Sequence, residues 1–157
     1  MVQWIYMTET TWTVETVEEL KALAGELLGI WKQLKNKNGT LVIAISGDLG
    51  AGKTTFVQEL AKILGVAETV NSPTFVIMKL YETPDSVFEK LVHIDAYRIE
   101  DSVEMQPLHF SQIISAESSL VCIEWAEKIS DLLPVGTIRL ELEALPHSKH
   151  KITYYGA

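Results

Sequence analysis

A chain of 157 residues with 47% hydrophobic content can bury one well-packed core and is too short for two ordinary domains, so residues 1–157 are expected to form a single domain. Its 21 acidic and 13 basic side chains give a formal net charge of −8, which excludes a protein that grips bare nucleic acid through its own surface. No apolar run reaches the roughly 18 residues of a membrane helix, no basic region opens the chain, and Cys122 has no second cysteine to pair with, so a soluble protein of a reducing cytoplasm is expected, with no membrane association.

In chain order, Met7 offers an alternative start, which would make Met1–Tyr6 an extension and leave residues 1–10 as an N-terminal arm. Thr11–Val14 alternates weakly, as an edge strand does. Thr16-Val17-Glu18-Glu19 has the form of a capping box and leads into Leu20, Leu23, Ala24, Leu27, Leu28 and Trp31 at helical spacing, a core-facing stripe. Lys35–Gly39 reads as a polar turn and Leu41–Ile45 as the first strong strand. A second helix, Lys53–Leu64, buries Phe56, Val57, Leu60, Ala61 and Leu64 and ends at Gly65. After a loop at Val70–Pro73, Thr74–Tyr81 is rich in β-formers and predicts a strand, with Thr83–Ser86 as a hairpin turn. Leu91–Asp95 predicts another strand, residues 100–117 one or two short helices broken near Pro107, and Ser119–Ile123 a buried strand ending at Glu124-Trp125. Ala126–Leu133 predicts a short helix stopped by Pro134. Ile138, Leu140 and Leu142 alternate with Arg139, Glu141 and Glu143 as in a half-solvated strand, and Lys151–Tyr155 closes the sequence as a last strand. Together these elements predict an α/β P-loop NTPase fold, a mixed, mainly parallel central sheet with helices on both faces.

The chemistry concentrates in Gly47-Asp48-Leu49-Gly50-Ala51-Gly52-Lys53-Thr54-Thr55, which fits G-x-x-x-x-G-K-[ST] and stands between a strand and a helix, where that pattern carries meaning. Asp48, Gly50, Ala51, Gly52, Lys53, Thr54 and Thr55 are therefore the candidate nucleotide contacts. Glycines let main-chain N–H groups turn inward around phosphates, Lys53 reaches the β/γ oxygens, and the Thr54 hydroxyl is placed for Mg²⁺. Asp95 and Glu124 each end an apolar strand, the side of an open α/β sheet on which ligands bind, so both are candidate catalytic and metal carboxylates; the plain alternative is a strand-end acid or a helix cap. His93 shares a strand face with Asp95 and is expected to hydrogen-bond toward it in a structural role. His109, His147 and His150 show no metal-ligand spacing and receive no role. Only two arginines occur, Arg98 and Arg139, the latter on the solvated side of its strand, so a small-molecule kinase that clamps two phosphate groups is poorly equipped, though it stays open as an alternative. A nucleotide-gated binding module without significant catalysis is the other. The absence of an N-K-x-D guanine-reading motif favours ATP.

Four ordered motifs also resemble one family. The phosphate loop through Phe56, then Ser72-Pro73-Thr74-Phe75, His93-Ile94-Asp95-Ala96-Tyr97-Arg98 and Ile123-Glu124-Trp125 are similar in order and spacing to the TsaE (formerly YjeE) ATPases of bacteria, over roughly residues 15 to 135. The resemblance implies a small ATPase that assists the threonylcarbamoyl modification of the adenosine beside the anticodon of tRNA, acting with TsaD and TsaB and meeting tRNA only through that complex. Carried over by position, it implies that Lys53 binds phosphates, that Thr54 and Glu124 hold Mg²⁺, that Asp95 completes the metal and water network, that Thr74 belongs to a nucleotide-sensing loop, and that Trp125 lies near the nucleotide or the partner. The chain departs from the family pattern at Leu80, where an acid is usual, at Ala126, where proline is usual, at Gln106–Phe110, and near Leu20 in the first helix.

Overall fold

Among the described residues, seven strands form one mixed sheet: β1 (Thr8–Val14), β2 (Leu41–Ser46), β3 (Met78–Glu82), β4 (Lys90–Asp95), β5 (Ser119–Glu124), β6 (Ile138–Ala144) and β7 (His150–Gly156), in the order β1-β7-β6-β2-β5-β4-β3. The computed structural model describes residues 8–156; the alternative start at Met7 and residues 1–6 lie outside them. Parallel pairing runs through the centre, β6-β2-β5-β4, and antiparallel pairing adds β7, β1 and β3 at the ends. Composition explains the division. Strands β2, β4 and β5 are near-continuous apolar runs buried on both faces, as a central parallel strand must be, whereas β6 alternates buried and exposed residues because only one of its faces is covered. The edge strand expected at Thr11–Val14 is β1, at one margin of the sheet.

Pleating sends alternate side chains to two cores. Leu41, Ile43, Ile45, Leu91, Leu120, Cys122, Leu140 and Leu142 meet α1 (Val17–Leu34) and α2 (Lys53–Leu64). Val42, Ala44, Val92, Ile94, Val121 and Ile123 meet the thinner layer on the other side, where Met105, Phe110, Ala126 and Ile129 come from short helical segments. In α1 the stripe Leu20, Leu23, Ala24, Leu27, Leu28 and Trp31 is buried as its spacing requires, and Trp31 packs edge-on against Phe56 of α2 with ring centroids 6.3 Å apart. The Thr16 hydroxyl accepts the Glu19 N–H at 3.1 Å; the Glu19 carboxylate reaches back one residue further than in a full capping box, accepting from the Glu15 N–H at 2.7 Å.

One element differs from the sequence expectation, and two expected short helical regions form largely with 3₁₀ geometry. The strand expected from Thr74 begins only at Met78, because the Val76 and Ile77 N–H groups both donate to the Pro73 carbonyl, at 3.1 and 2.6 Å, curling residues 74–77 into a turn that leaves Ile77 at φ 67. Local β-propensity yields there to a proline-started turn pinned by side chains. Around Pro107 the chain forms a 3₁₀ segment, Ser102–Leu108, and a single α-turn, α3 (Phe110–Ile113); the break falls at His109, φ 54, two residues after the proline. The helix before Pro134 is also 3₁₀, Ala126–Leu132, with a kink at Ile129. Among the described residues no helix is long and apolar enough to cross a membrane.

Candidate functional site

Glycines at positions 47, 50 and 52 hold φ of 144, 80 and 103, the half of backbone space that side chains avoid, and they bend the chain from β2 into α2 in six residues. At Gly47 the requirement is also steric, since a Cβ would lie 2.2 Å from the Leu142 carbonyl oxygen of β6. The turn delivers a helix end unlike that of α1. Among the described residues no side chain caps the amino end of α2 and no acid stands in its first turn, whereas α1 begins with a Thr16 cap followed by Glu18 and Glu19. The first amides of α2 and the positive end of its dipole are thus left for an external anion. Lys53, at the head of this helix, is 6% exposed. Its ammonium donates to the carbonyls of Gly47 (2.5 Å) and Asp48 (2.9 Å) and lies 4.1 Å from the centre of the Trp125 ring. Burial draws its pKa below the ordinary lysine value, against the opposing pull of Glu124, Glu127, Asp95 and Asp48. The Asp48 side chain itself is exposed, and Thr55 is half-buried on the outer side of the loop.

Both strand-end carboxylates come to this loop, by way of adjacent, directly paired positions of β4 and β5. Glu124, 2% exposed, accepts the Thr54 hydroxyl at 2.8 Å through Oε1 and the His93 Nε2–H at 2.5 Å through Oε2. Asp95, 4% exposed, spends its oxygens differently. Its Oδ2 accepts from the hydroxyls of Ser72 and Thr74, each at 2.9 Å, and its Oδ1 from the Tyr97 N–H at 2.9 Å, so it ties the loop after α2 to the end of β4. His93 therefore does not turn toward Asp95 as its shared strand face suggested. The diagonal neighbour across the β4–β5 pair, Glu124, offers an unfilled acceptor, while Asp95 is already supplied by the loop.

Trp125 follows Glu124 at φ 56, a conformation rare for a bulky residue, and its ring neighbours both the Lys53 ammonium and the Tyr97 ring, the two ring centroids being 5.2 Å apart. Phe75, 82% exposed, carries the Arg98 guanidinium 4.3 Å from its ring centre. On the outer side of the loop, a largely apolar cleft of about 380 Å³ lies between Val14, Val17 and Leu20 near the start of α1 and Gly50–Gly52, Leu142 and His150. His150, given no role from sequence, donates Nδ1–H to the Ala51 carbonyl at 2.9 Å and so supports the phosphate loop from 99 positions away. Ser72 was likewise visible only as part of a motif. A second hollow, about 420 Å³ on the uncovered side of β6, sets Glu9, Asp48, Glu141 and Glu143 against Lys151, a lining that repels phosphate.

The family model described as threonylcarbamoyl adenosine biosynthesis protein TsaE matches residues 14–152, from the end of β1 into β7. The chain belongs to the TsaE family. Among its TsaE relatives, the tRNA threonylcarbamoyladenosine biosynthesis protein of Bacillus subtilis is 36% identical over 149 residues, covering 94% of this chain and 86% of its own. That of Aquifex aeolicus is 38% identical over 144 residues, covering 90% and 92%. The crystal structure of Bacillus subtilis YdiB superposes with a TM-score of 0.71 at 26% identity, over 97% of this chain and 88% of that one. At the positions where this TsaE chain departs from the family pattern, Leu80 lies half-exposed on the edge strand β3 and Ala126 is buried in the thin layer beyond β5.

Proposed function

We propose that this TsaE protein binds ATP with Mg²⁺ at residues 47–55 and hydrolyses it slowly, in support of tRNA threonylcarbamoyladenosine formation in the cytoplasm, together with TsaD and TsaB homologues and with tRNA met only through that complex. The observation that carries the reading is the uncapped amino end of α2, lined by left-handed glycines, with a buried lysine at its head and the Thr54–Glu124 hydrogen bond beside it. Such an end is an anion seat, and a lysine, a hydroxyl and a strand-end carboxylate are the side chains that triphosphate chemistry uses.

The donor set suits magnesium. Among the described residues no three His, Cys, Asp or Glu side chains cluster into a ready cage, and magnesium is ordinarily held by one or two carboxylates completed by phosphate oxygens and water. Thr54 and Glu124 would hold it, with Asp95 behind them. Bound there, the ion would neutralise charge on the phosphate oxygens during transfer. The protein's own residues do the rest: Lys53 pairs with the terminal phosphates, Asp95 keeps Ser72 and Thr74 against the site, Trp125 shields Lys53 from water, and the apolar cleft beside Val17 and Leu20 accommodates a base. A kinase lid finds no support, because Arg98 lies on Phe75 and Arg139 on an exposed position of β6.

Purified protein mixed with TsaD, TsaB, tRNA and ATP is expected to hydrolyse ATP and sustain repeated rounds of modification, and Glu124→Ala to lose both. Absence of hydrolysis and of repeated modification in the unaltered protein would refute the proposal; full modification by Glu124→Ala would favour the non-catalytic binding module.

A further inference from the structure

Glu124 is held on two sides, and one of its holders has no part in the phosphate loop. Its Oε1 meets the Thr54 hydroxyl of the loop helix, while Oε2 receives Nε2–H from His93, a fully buried residue of β4, at 2.5 Å. The other ring nitrogen of His93, Nδ1, is buried and has no hydrogen-bond partner among the described residues. A buried polar atom left without a partner costs stability, so an apolar side chain would serve this position better if packing were its task. Among the described residues the imidazole's one hydrogen bond goes to Glu124, so the ring is spent wholly on that carboxylate. A glutamate's terminal torsion is broad and nearly two-fold, so a carboxylate held at one oxygen alone swings freely. Here His93 fixes that torsion from the rigid centre of the sheet, where β4 and β5 are paired throughout their length.

We propose that His93 is a positioning residue: its Nε2–H locks the Glu124 carboxylate so that Oε1 stays directed at Thr54, setting the affinity of the site for its divalent ion. This rests on the reading of the site as a magnesium-nucleotide site. Partners of this kind behind a metal-binding side chain are worth about 10- to 100-fold in metal affinity.

The test is a Mn²⁺ titration, followed by electron paramagnetic resonance, of the full chain loaded with ADP, with ADP binding measured separately in a chelator. His93→Leu should weaken Mn²⁺ binding about tenfold or more, leave metal-free ADP affinity unchanged, and lower kcat more than it raises KM. His93→Gln, whose amide N–H reaches the place of Nε2, should recover most of the lost Mn²⁺ affinity; His93→Asn, whose amide falls short of Glu124, should not. Should the leucine variant fail to fold, the glutamine and asparagine pair carries the comparison. Wild-type Mn²⁺ affinity in His93→Leu or His93→Asn, or equal losses in His93→Gln and His93→Asn, overturns the proposal. If unaltered protein binds neither ADP nor Mn²⁺, it is the nucleotide reading that falls.

Discussion

Lys53 shows how a single buried cation organises its surroundings. It sits on two loop carbonyls and an aromatic face, with four acids offsetting the penalty of burial. Hydrogen bonds to charged groups contribute about 1.5–3 kcal/mol, so Lys53→Ala is expected to weaken ATP binding by about 10- to 100-fold; calorimetry that finds unchanged affinity would remove Lys53 from the site. Cys122 makes a different test. Burial, helped by the charge of Glu124, raises its thiol above the ordinary 9.0. The folded thiol therefore stays protonated where the unfolded one ionises, so its contribution is complete below pH 9 and is lost as pH rises. Between about pH 9 and pH 10, before Tyr154, also raised by burial from 10.0, begins to add its own loss, the fall in unfolding free energy should be shallower in Cys122→Ala. Urea melts at stepped pH would show it. At this scale the sequence was informative wherever chemistry is local. Lys53 and Thr54 announce themselves by spacing, and Glu124 by ending an apolar run. The His93–Glu124 bond was not legible because it depends on which strand lies beside β4, and the His150–Ala51 bond because no pattern links residues 99 positions apart.

Among the elements, the phosphate loop is the most constrained. A methyl group at Gly47 would overlap the Leu142 carbonyl and would also face an unfavourable φ. Gly136, at φ 87 with none of the described residues within 4 Å of where a Cβ would stand, isolates the conformational part. Gly47→Ala should therefore destabilise the fold distinctly more than Gly136→Ala in urea titrations and should also weaken ATP binding, since the loop must move away from β6 to relieve the overlap; equal losses would mean that contact with β6 is unimportant. The helices and most strands were readable because their periodicities are strong and their caps explicit. Residues 74–77 were not, since their β-forming side chains are overruled by the Pro73 turn and by two hydroxyls held at Asp95.

Across the described residues, the larger of the two cores lies where α1 and α2 close over the sheet. Trp31 is fully buried at their junction against Phe56, so Trp31→Ala should cost about 3–5 kcal/mol in unfolding free energy while, in the folded fraction, leaving nucleotide affinity intact. A loss below about 1 kcal/mol, nearer the size of a surface substitution, would show that the helical layer repacks. Fold class followed from composition and the alternation of elements, but strand order did not. Placing β2 between β5 and β6 depends on contacts between distant segments, and single-strand hydropathy reports only how many faces are covered.

The bare amino end of α2 has one more consequence, and it concerns the solvent rather than the chain. If that end seats phosphoryl groups as proposed, it should draw any compact oxyanion, and whatever occupies the native state alone stabilises it by mass action, by RT ln(1 + [L]/Kd). The melting temperature of this protein is accordingly a property of the protein together with its buffer: phosphate or sulfate should raise it beyond their general salting-out effect, and the excess should vanish when the loop lysine is removed.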